Sequence, residues 1–173
     1  MIRVKSGETD KLGLLYERYK KAVFAYFFKL SGGGQQLSED LVQTVFLRIL
    51  KYKKNYKGTG KFTAWLFSIA RNVGLDHYKR KSFEENIDDV NIQVSDFKNN
   101  VDDIIKHEQQ KLLRKALMSL RIEEREVLVL GKLKELSYKD VGKIIGCTES
   151  NVKIRIHRAL KSLRAAYFKL EKP

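Results

Sequence analysis

Residues 136–163, L-S-Y-K-D-V-G-K-I-I-G-C-T-E-S-N-V-K-I-R-I-H-R-A-L-K-S-L, read as two helices around a tight turn. Ser137 is a good N-cap, and Asp140 stands three residues on, where a capping box wants an acid or amide. Leu136 and Val141 flank that cap as a hydrophobic staple does. Val141, Ile144 and Ile145 form the apolar side, and Gly146 is placed to end the helix as a left-handed residue. Thr148 can cap a second helix with an apolar stripe at Val152, Ile156, Ala159, Leu160 and Leu163. Its other faces carry Lys153, Arg155, His157, Arg158, Lys161 and Arg164. A short helix, a glycine turn and a longer basic helix make the helix-turn-helix pattern, whose second helix enters a DNA major groove. An ordinary helical hairpin with a solvated basic face has the same periodicity, so this stretch alone leaves both open.

The distribution of charge bears on that choice. The chain has 173 residues, enough for one compact domain or two small ones, and a formal net charge of +14. Residues 1–82, 83–102 and 103–173 carry +11, −5 and +8. Two basic blocks around an acidic bridge fit two modules facing a polyanion better than they fit charge spread for solubility. One cysteine rules out an internal disulfide framework, and Cys147 reads as a small filler of the turn. No spacing suggests zinc, and no cofactor is expected. The start lacks an apolar signal-like run, and no apolar stretch approaches membrane-spanning length. The expectation is a cytoplasmic protein without membrane insertion.

Ahead of the acidic bridge, helical periodicity dominates. Leu15, Tyr19, Val23, Phe27 and Leu30 repeat at helical spacing before the break at Ser31-Gly32-Gly33-Gly34. Ser38 is expected to cap a helix running to about Tyr52, with Leu41, Val42, Val45, Phe46, Ile49 and Leu50 inward and Glu39, Asp40, Gln43 and Arg48 outward. Residues 51–61, K-Y-K-K-N-Y-K-G-T-G-K, form a basic loop with two tyrosines. A helix from about Phe62 to Lys81 follows, with Phe62, Trp65, Leu66, Ile69, Ala70, Val73 and His77 as its core stripe. Ser68, Asn72, Leu75 and Lys79 line one flank a turn apart, and Lys79-Arg80-Lys81 makes a basic end. A basic, tyrosine-bearing loop leading into such a helix suits single-stranded nucleic acid, where bases stack on rings and cations follow phosphates. A plain core helix accounts for Trp65 and competes for Asn72. Residues 83–102 lack a helical period and read as an extended linker, able to span up to roughly 65 Å. Its acidic pairs have no histidine partners, so they read as a solvated run. Helical character returns near Val101, with Ile104, Ile105, Leu112, Leu113, Ala116, Leu117 and Leu120 marking one helix and residues 123–133 another. The expected fold is all-α: two small helical domains, 1–82 and 103–173, joined by the acidic linker, the C-terminal one a helix-turn-helix.

These segments, in this order, resemble a bacterial RNA polymerase sigma factor of the extracytoplasmic-function type. The resemblance rests on L-L-Y-E-R-Y at 14–19, S-E-D-L-V-Q-T-V-F-L-R-I-L at 38–50 and F-T-A-W-L-F-S-I-A-R-N-V-G-L-D-H-Y-K-R-K at 62–81. It continues in E-R-E-V-L-V-L and the helix-turn-helix, and so covers nearly the whole chain. It implies a protein that binds core RNA polymerase and guides it to promoter DNA, with an anti-sigma factor as a further partner. The C-terminal domain is then expected to read a duplex minus-35 element through Asn151, Lys153, Ile154, Arg155, His157 and Arg158. The N-terminal domain is expected to open and hold the minus-10 element as a single strand. There Asn72 matches the position lining a pocket for an extruded base, and the 57–61 loop, with Lys57 and Lys61, matches the segment that closes it. Arg71, Lys79 and Arg80 match positions holding phosphates, and Asp40, Gln43 and Phe46 match the face that docks on the polymerase clamp. The linker is expected to run near the polymerase cleft and RNA exit path.

Four residues depart from the family pattern. Thr44 replaces a usual Glu in the docking helix. Arg121 replaces a usual proline, which leaves that helix start less defined. Gly142 replaces a small Ala, keeping the packing at a cost of up to ~1 kcal/mol in helix propensity. Ile154 replaces a common Ser, which points to an unusual upstream preference. Two other functions compete with this one. A dimeric helix-turn-helix regulator explains the C-terminal third and leaves residues 38–81 without a nucleic-acid role. A DNA-processing enzyme needs a placed nucleophile or carboxylate cluster, and the sequence offers none: Asp40 and Asp76 lie on different helices.

Overall fold

A computed structural model of the chain describes residues 1–84, 101–133 and 136–171, with side chains at all of these except 80–84 and 101–107. Among the described residues the N-terminal half consists of α1 (Ile2–Lys5), α2 (Leu12–Leu30), α3 (Gln35–Lys51) and α4 (Phe62–Glu84). The C-terminal half consists of α5 (Val101–Met118), α6 (Ile122–Gly131), α7 (Tyr138–Ile145) and α8 (Glu149–Glu171). No strand occurs among the described residues. Most of the expected linker, 85–100, lies outside them.

In the N-terminal half α3 packs between α2 and α4. Tyr19, Val23, Tyr26, Phe27 and Leu30 of α2 meet Leu41, Val42, Val45, Phe46 and Ile49 of α3 in the core, as their helical spacing requires. Ser38 is not the cap it was expected to be. The helix begins a turn earlier, at Gln35, because Gly34 is already extended at φ −67° and ψ 102° and serves as N-cap. Ser38 is buried in the first turn, where its hydroxyl donates to the Gly34 carbonyl at 2.6 Å. The α4 stripe also shifts. Leu66, Phe67, Ile69, Ala70 and Val73 are buried, whereas Phe62, Trp65 and His77 are only partly so. The unexpected member, Phe67, has its ring 5.6 Å from that of Tyr26. Its α4 packs on α3 and α2 of its own half and on α7 of the other.

In the C-terminal half α6 is buried continuously from Arg125 to Leu130, since α2, α7 and α8 all pack on it. Its start is better defined than the missing proline suggested. The Arg121 N–H donates to the Glu124 carboxylate at 3.3 Å, a bond that proline lacks the hydrogen to make. The α7 capping box forms as read: the Asp140 N–H donates to Ser137 Oγ at 3.1 Å, and the Ser137 N–H donates back to Asp140 at 3.1 Å. Gly146 ends α7 at φ 75° and ψ 42°. Gly142 does more than preserve packing. A Cβ there would lie 2.5 Å from the Cys147 carbonyl oxygen, so the turn closes on a position without a side chain. On α8, Val152 and Ala159 face the core, Ile156 and Leu163 are partly buried, and Leu160, expected in the stripe, is 45% exposed.

The two halves share one apolar cluster, with α2 on α6 and α4 on α7. Polar contacts cross the same seam. Tyr26 Oη donates to the Glu126 carboxylate at 3.0 Å, and Arg71 Nε donates to both Glu126 oxygens at 3.1 Å. The Arg125 guanidinium donates to the Leu30 carbonyl at 2.6 Å, and that of Arg114 donates to the Gly32 carbonyl. Lys61 Nζ stands 3.7 Å from Asp140. The chain is therefore closed on itself.

Candidate nucleic-acid interface

The basic face of α8 is formed as its sequence predicts. Thr148 Oγ1 accepts the Asn151 N–H at 3.3 Å, capping the helix and leaving its first turns to project from the turn after Gly146. Asn151, Lys153, Ile154, Arg155, His157 and Arg158 are all exposed, while Val152 and Ala159 behind them are fully buried. Asn151, Ile154, Arg155 and Arg158 follow the spacing that brings residues onto one side of a helix. Lys153 pairs with Glu149 at 3.1 Å, an exposed contact that water and salt weaken. One further cation joins this face. Arg155 and Arg158 line a shallow groove with Arg121, Glu123 and Glu124 at the start of α6. Arg121 is remote from α8 in sequence, and its only signal there was its appearance where a proline was expected. Glu124 anchors the groove floor. Burial opposes its ionisation, but the Ser162 hydroxyl and Arg121 hold its carboxyl below the usual range.

The second candidate surface lies on α4 and the loop before it. Lys57, Lys61, Asn72 and Lys79 are exposed; the side chain of Arg80 lies outside the described residues. Arg71 is drawn inward instead. Its side chain is 25% exposed and bridges to Glu126 of the C-terminal half. Lys61 likewise faces Asp140, whose carboxyl is opposed by burial yet held below its ordinary value by Ser137, with Lys61 and Lys143 adding to the effect. Two of the cations expected to meet an opened strand thus meet carboxylates here. Glu126 and Asp140 had no such part in the sequence reading, because the relative placement of the halves is not written in local periodicity.

A third surface runs along α3. Asp40 and Gln43 are exposed, whereas Phe46 is 5% exposed, with its ring 4.9 Å from that of Tyr16 in an edge-on contact. The apolar residue that α3 presents to solvent is its neighbour Leu47, 68% exposed. Asp40, Gln43, Thr44 and Leu47 follow the i, i+3, i+4, i+7 pattern and make one strip, with Phe46 propping it from below. Among the described residues no helix is long and apolar enough to cross a membrane.

Comparison with known proteins agrees with this layout. Residues 15–84 match the family model described as Sigma-70 region 2, and residues 110–163 match Sigma-70, region 4. The chain is 32% identical to the ECF RNA polymerase sigma factor SigM of Bacillus subtilis over 154 residues, 88% of this chain and 93% of that one. It is 30% identical to the ECF RNA polymerase sigma factor BldN of Streptomyces coelicolor over 93% of its own length, but spans only 62% of that protein. Among solved structures it resembles the sigma factor RpoE in complex with the anti-sigma factor NepR from Bartonella quintana. That match has a TM-score of 0.71 and 24% identity, and covers 89% of this chain and 94% of that one. It resembles CnrH, solved with the cytosolic domain of CnrY, with a TM-score of 0.68 over 95% of this chain and 92% of that one.

Proposed function

We infer how this chain works from the family it belongs to, the ECF RNA polymerase sigma factors, which bind core RNA polymerase and direct promoter-specific initiation. The division of labour among its residues is our reading. The exposed side of α8 reads the upstream element as duplex, with Arg155 and Arg158 suited to guanine edges or phosphates and Ile154 to a thymine methyl. Asn72 and the 57–61 loop take the downstream element as a melted strand, the amide of Asn72 reading an extruded base. Lys57, Lys61, Arg71, Lys79 and Arg80 follow its phosphates. The α3 strip, with Leu47 beside Asp40 and Gln43, docks on the polymerase. The protein acts where the polymerase does, in the cytoplasm. Residues 1–82 and 103–173 are its two working domains.

The observation that best supports this reading is the exposure of all six α8 candidates over the buried Val152 and Ala159. The closed seam adds a requirement. Arg71 is held by Glu126, and Lys61 more loosely by Asp140, in the closed chain, so freeing both for phosphates calls for the domains to part when the chain engages polymerase and promoter. A protein that grips both halves would keep the seam shut, and an anti-sigma factor is the partner we expect for that role.

The test is run-off transcription with core polymerase on promoters the chain selects. Asn72→Ala should relax the base preference within the melted element, and Arg158→Ala should weaken the upstream element alone. Duplex binding as a dimer, with no polymerase complex, would favour a plain regulator instead.

A further inference from the structure

The first five residues are built into the loop that precedes α4. Val4 is fully buried, and Met1 packs against the shared core. Lys5, on the same short turn, points its ammonium at that loop, and Nζ donates to the Tyr56 carbonyl at 2.7 Å in a partly buried contact. Tyr56 is itself 7% exposed, its ring 5.1 Å from that of Trp65 and 6.0 Å from that of Phe62 at the start of α4. Beyond Tyr56 the chain swings outward through Gly58 and Gly60, both at positive φ, and Ile2 Cδ1 lies 3.9 Å from the point where a Gly58 Cβ would stand. One turn of helix is too short to persist by itself. It is held by Val4 beneath and by the Lys5 contact at its end.

We propose that α1 is a brace for the loop at 57–61, and that Lys5 is a positioning residue for base discrimination in the melted strand. The proposal rests on the reading that this loop closes over an extruded base. Two positive-φ glycines give the loop freedom of path, whereas a site that distinguishes bases must hold its groups to about half an ångström. An ammonium-to-carbonyl bond is charge-assisted and directional, and it fixes the backbone at the residue where the loop leaves the core. Because the acceptor is a main-chain oxygen, the contact sets the loop's origin whatever side chain stands at 56. Covering the core needs only Val4 and Met1. The ammonium of Lys5 acts on the loop.

The experiment uses polymerase holoenzyme assembled with the full chain and a set of templates carrying each of the four bases in turn at every melted position. Lys5→Met keeps the aliphatic stem and removes the donor. It should lower the ratio between best and worst base by about three- to tenfold, with polymerase binding and upstream-duplex binding unchanged. Lys5→Arg should restore the ratio. Lys5→Gln keeps a neutral donor, should fall between, and serves if Lys5→Met folds poorly. A wild-type ratio in Lys5→Met, or an equal loss on all four bases, overturns the brace. Thr59→Ala within the loop separates the two levels of the argument. If it changes the ratio and Lys5→Met does not, the brace fails alone; if neither changes it, the loop does not read bases.

Discussion

Removing the carboxylate of Glu126 tests the closed seam most directly. Glu126 accepts from Tyr26 Oη at 3.0 Å and from Arg71 Nε at 3.1 Å, and it does so at 9% exposure. In Glu126→Ala the Tyr26 hydroxyl, on a residue only 1% exposed, is left without this acceptor. Stranding a buried donor costs roughly 1–3 kcal/mol. Arg71 is better placed to recover, because its side chain is 25% exposed and water reaches the guanidinium, so its share is at most about 1 kcal/mol. We expect a total loss of about 1–4 kcal/mol. The loss should fall on the contact between the halves rather than within either one. Urea denaturation followed by circular dichroism gives the magnitude, and paired fluorophores on α2 and α8 report separation of the halves. Burial first and Glu126 second push the Tyr26 hydroxyl well above its ordinary pKa, so the tyrosine stays a donor throughout the accessible pH range. Tyr26→Phe in the Glu126→Ala background should then cost less than in wild type, since the stranded hydroxyl is gone. A Glu126→Ala protein within about 0.5 kcal/mol of wild type, additive with Tyr26→Phe, would refute the claim that this triad holds the seam.

Three further outcomes follow from the geometry. Gly142→Ala should destabilise the chain by about 1–3 kcal/mol, because its Cβ would press on the Cys147 carbonyl; a variant that melts higher would mean that helix propensity wins. The Asp140 carboxyl is held below its ordinary 3.8, so its contribution is complete above that value and is lost as pH falls through the lower, folded one. Stability measured down an acid series should therefore fall less steeply in Asp140→Asn than in wild type, and parallel curves would count against the assignment. Leu47→Asp should reduce affinity for core polymerase at unchanged melting temperature, whereas Phe46→Ala should cost about 3–5 kcal/mol of stability. The reverse pattern in binding and calorimetry would return Phe46 to the docking surface.

What could be read in the sequence was local. The capping box of Ser137 and Asp140, the left-handed Gly146 and the exposed set on α8 all follow from residues within a turn or two of one another, where side-chain type decides backbone geometry. The start of α3 was misread because Ser38 has the chemistry of a cap. The backbone chose Gly34, since glycines beside it had already turned the chain. Phe46 looked like a docking residue by its place in a motif, yet periodicity had also put it inward, and the Tyr16 ring decides for the inward position. Phe67 and Glu126 were invisible for a different reason. Phe67 meets Tyr26 of another helix, and Glu126 meets Tyr26 and Arg71 of the other half; no spacing within one helix announces such partners.

That long-range layer bears on function through charge. Two basic blocks in one chain repel one another, so a closed form needs acidic groups at the seam to offset them. Glu126 and Asp140 stand there, each facing a cation that our reading assigns to DNA phosphate. The two states then compete for the same guanidinium and ammonium, with carboxylates holding them in the closed chain and phosphates in the open one. A nucleic-acid strand brings many charges at once and releases counterions as it binds, whereas the seam offers two carboxylates, one of them at 3.7 Å and weakly coupled. On that reading, promoter phosphates shift the balance toward the open chain. In that scheme Glu126→Gln, which removes the charge and keeps an acceptor for Tyr26, weakens the grip on Arg71 while sparing the hydroxyl. It should raise polymerase-dependent promoter binding at a given salt concentration. Equal binding by both proteins across a salt series would mean that the seam carries no share of the competition.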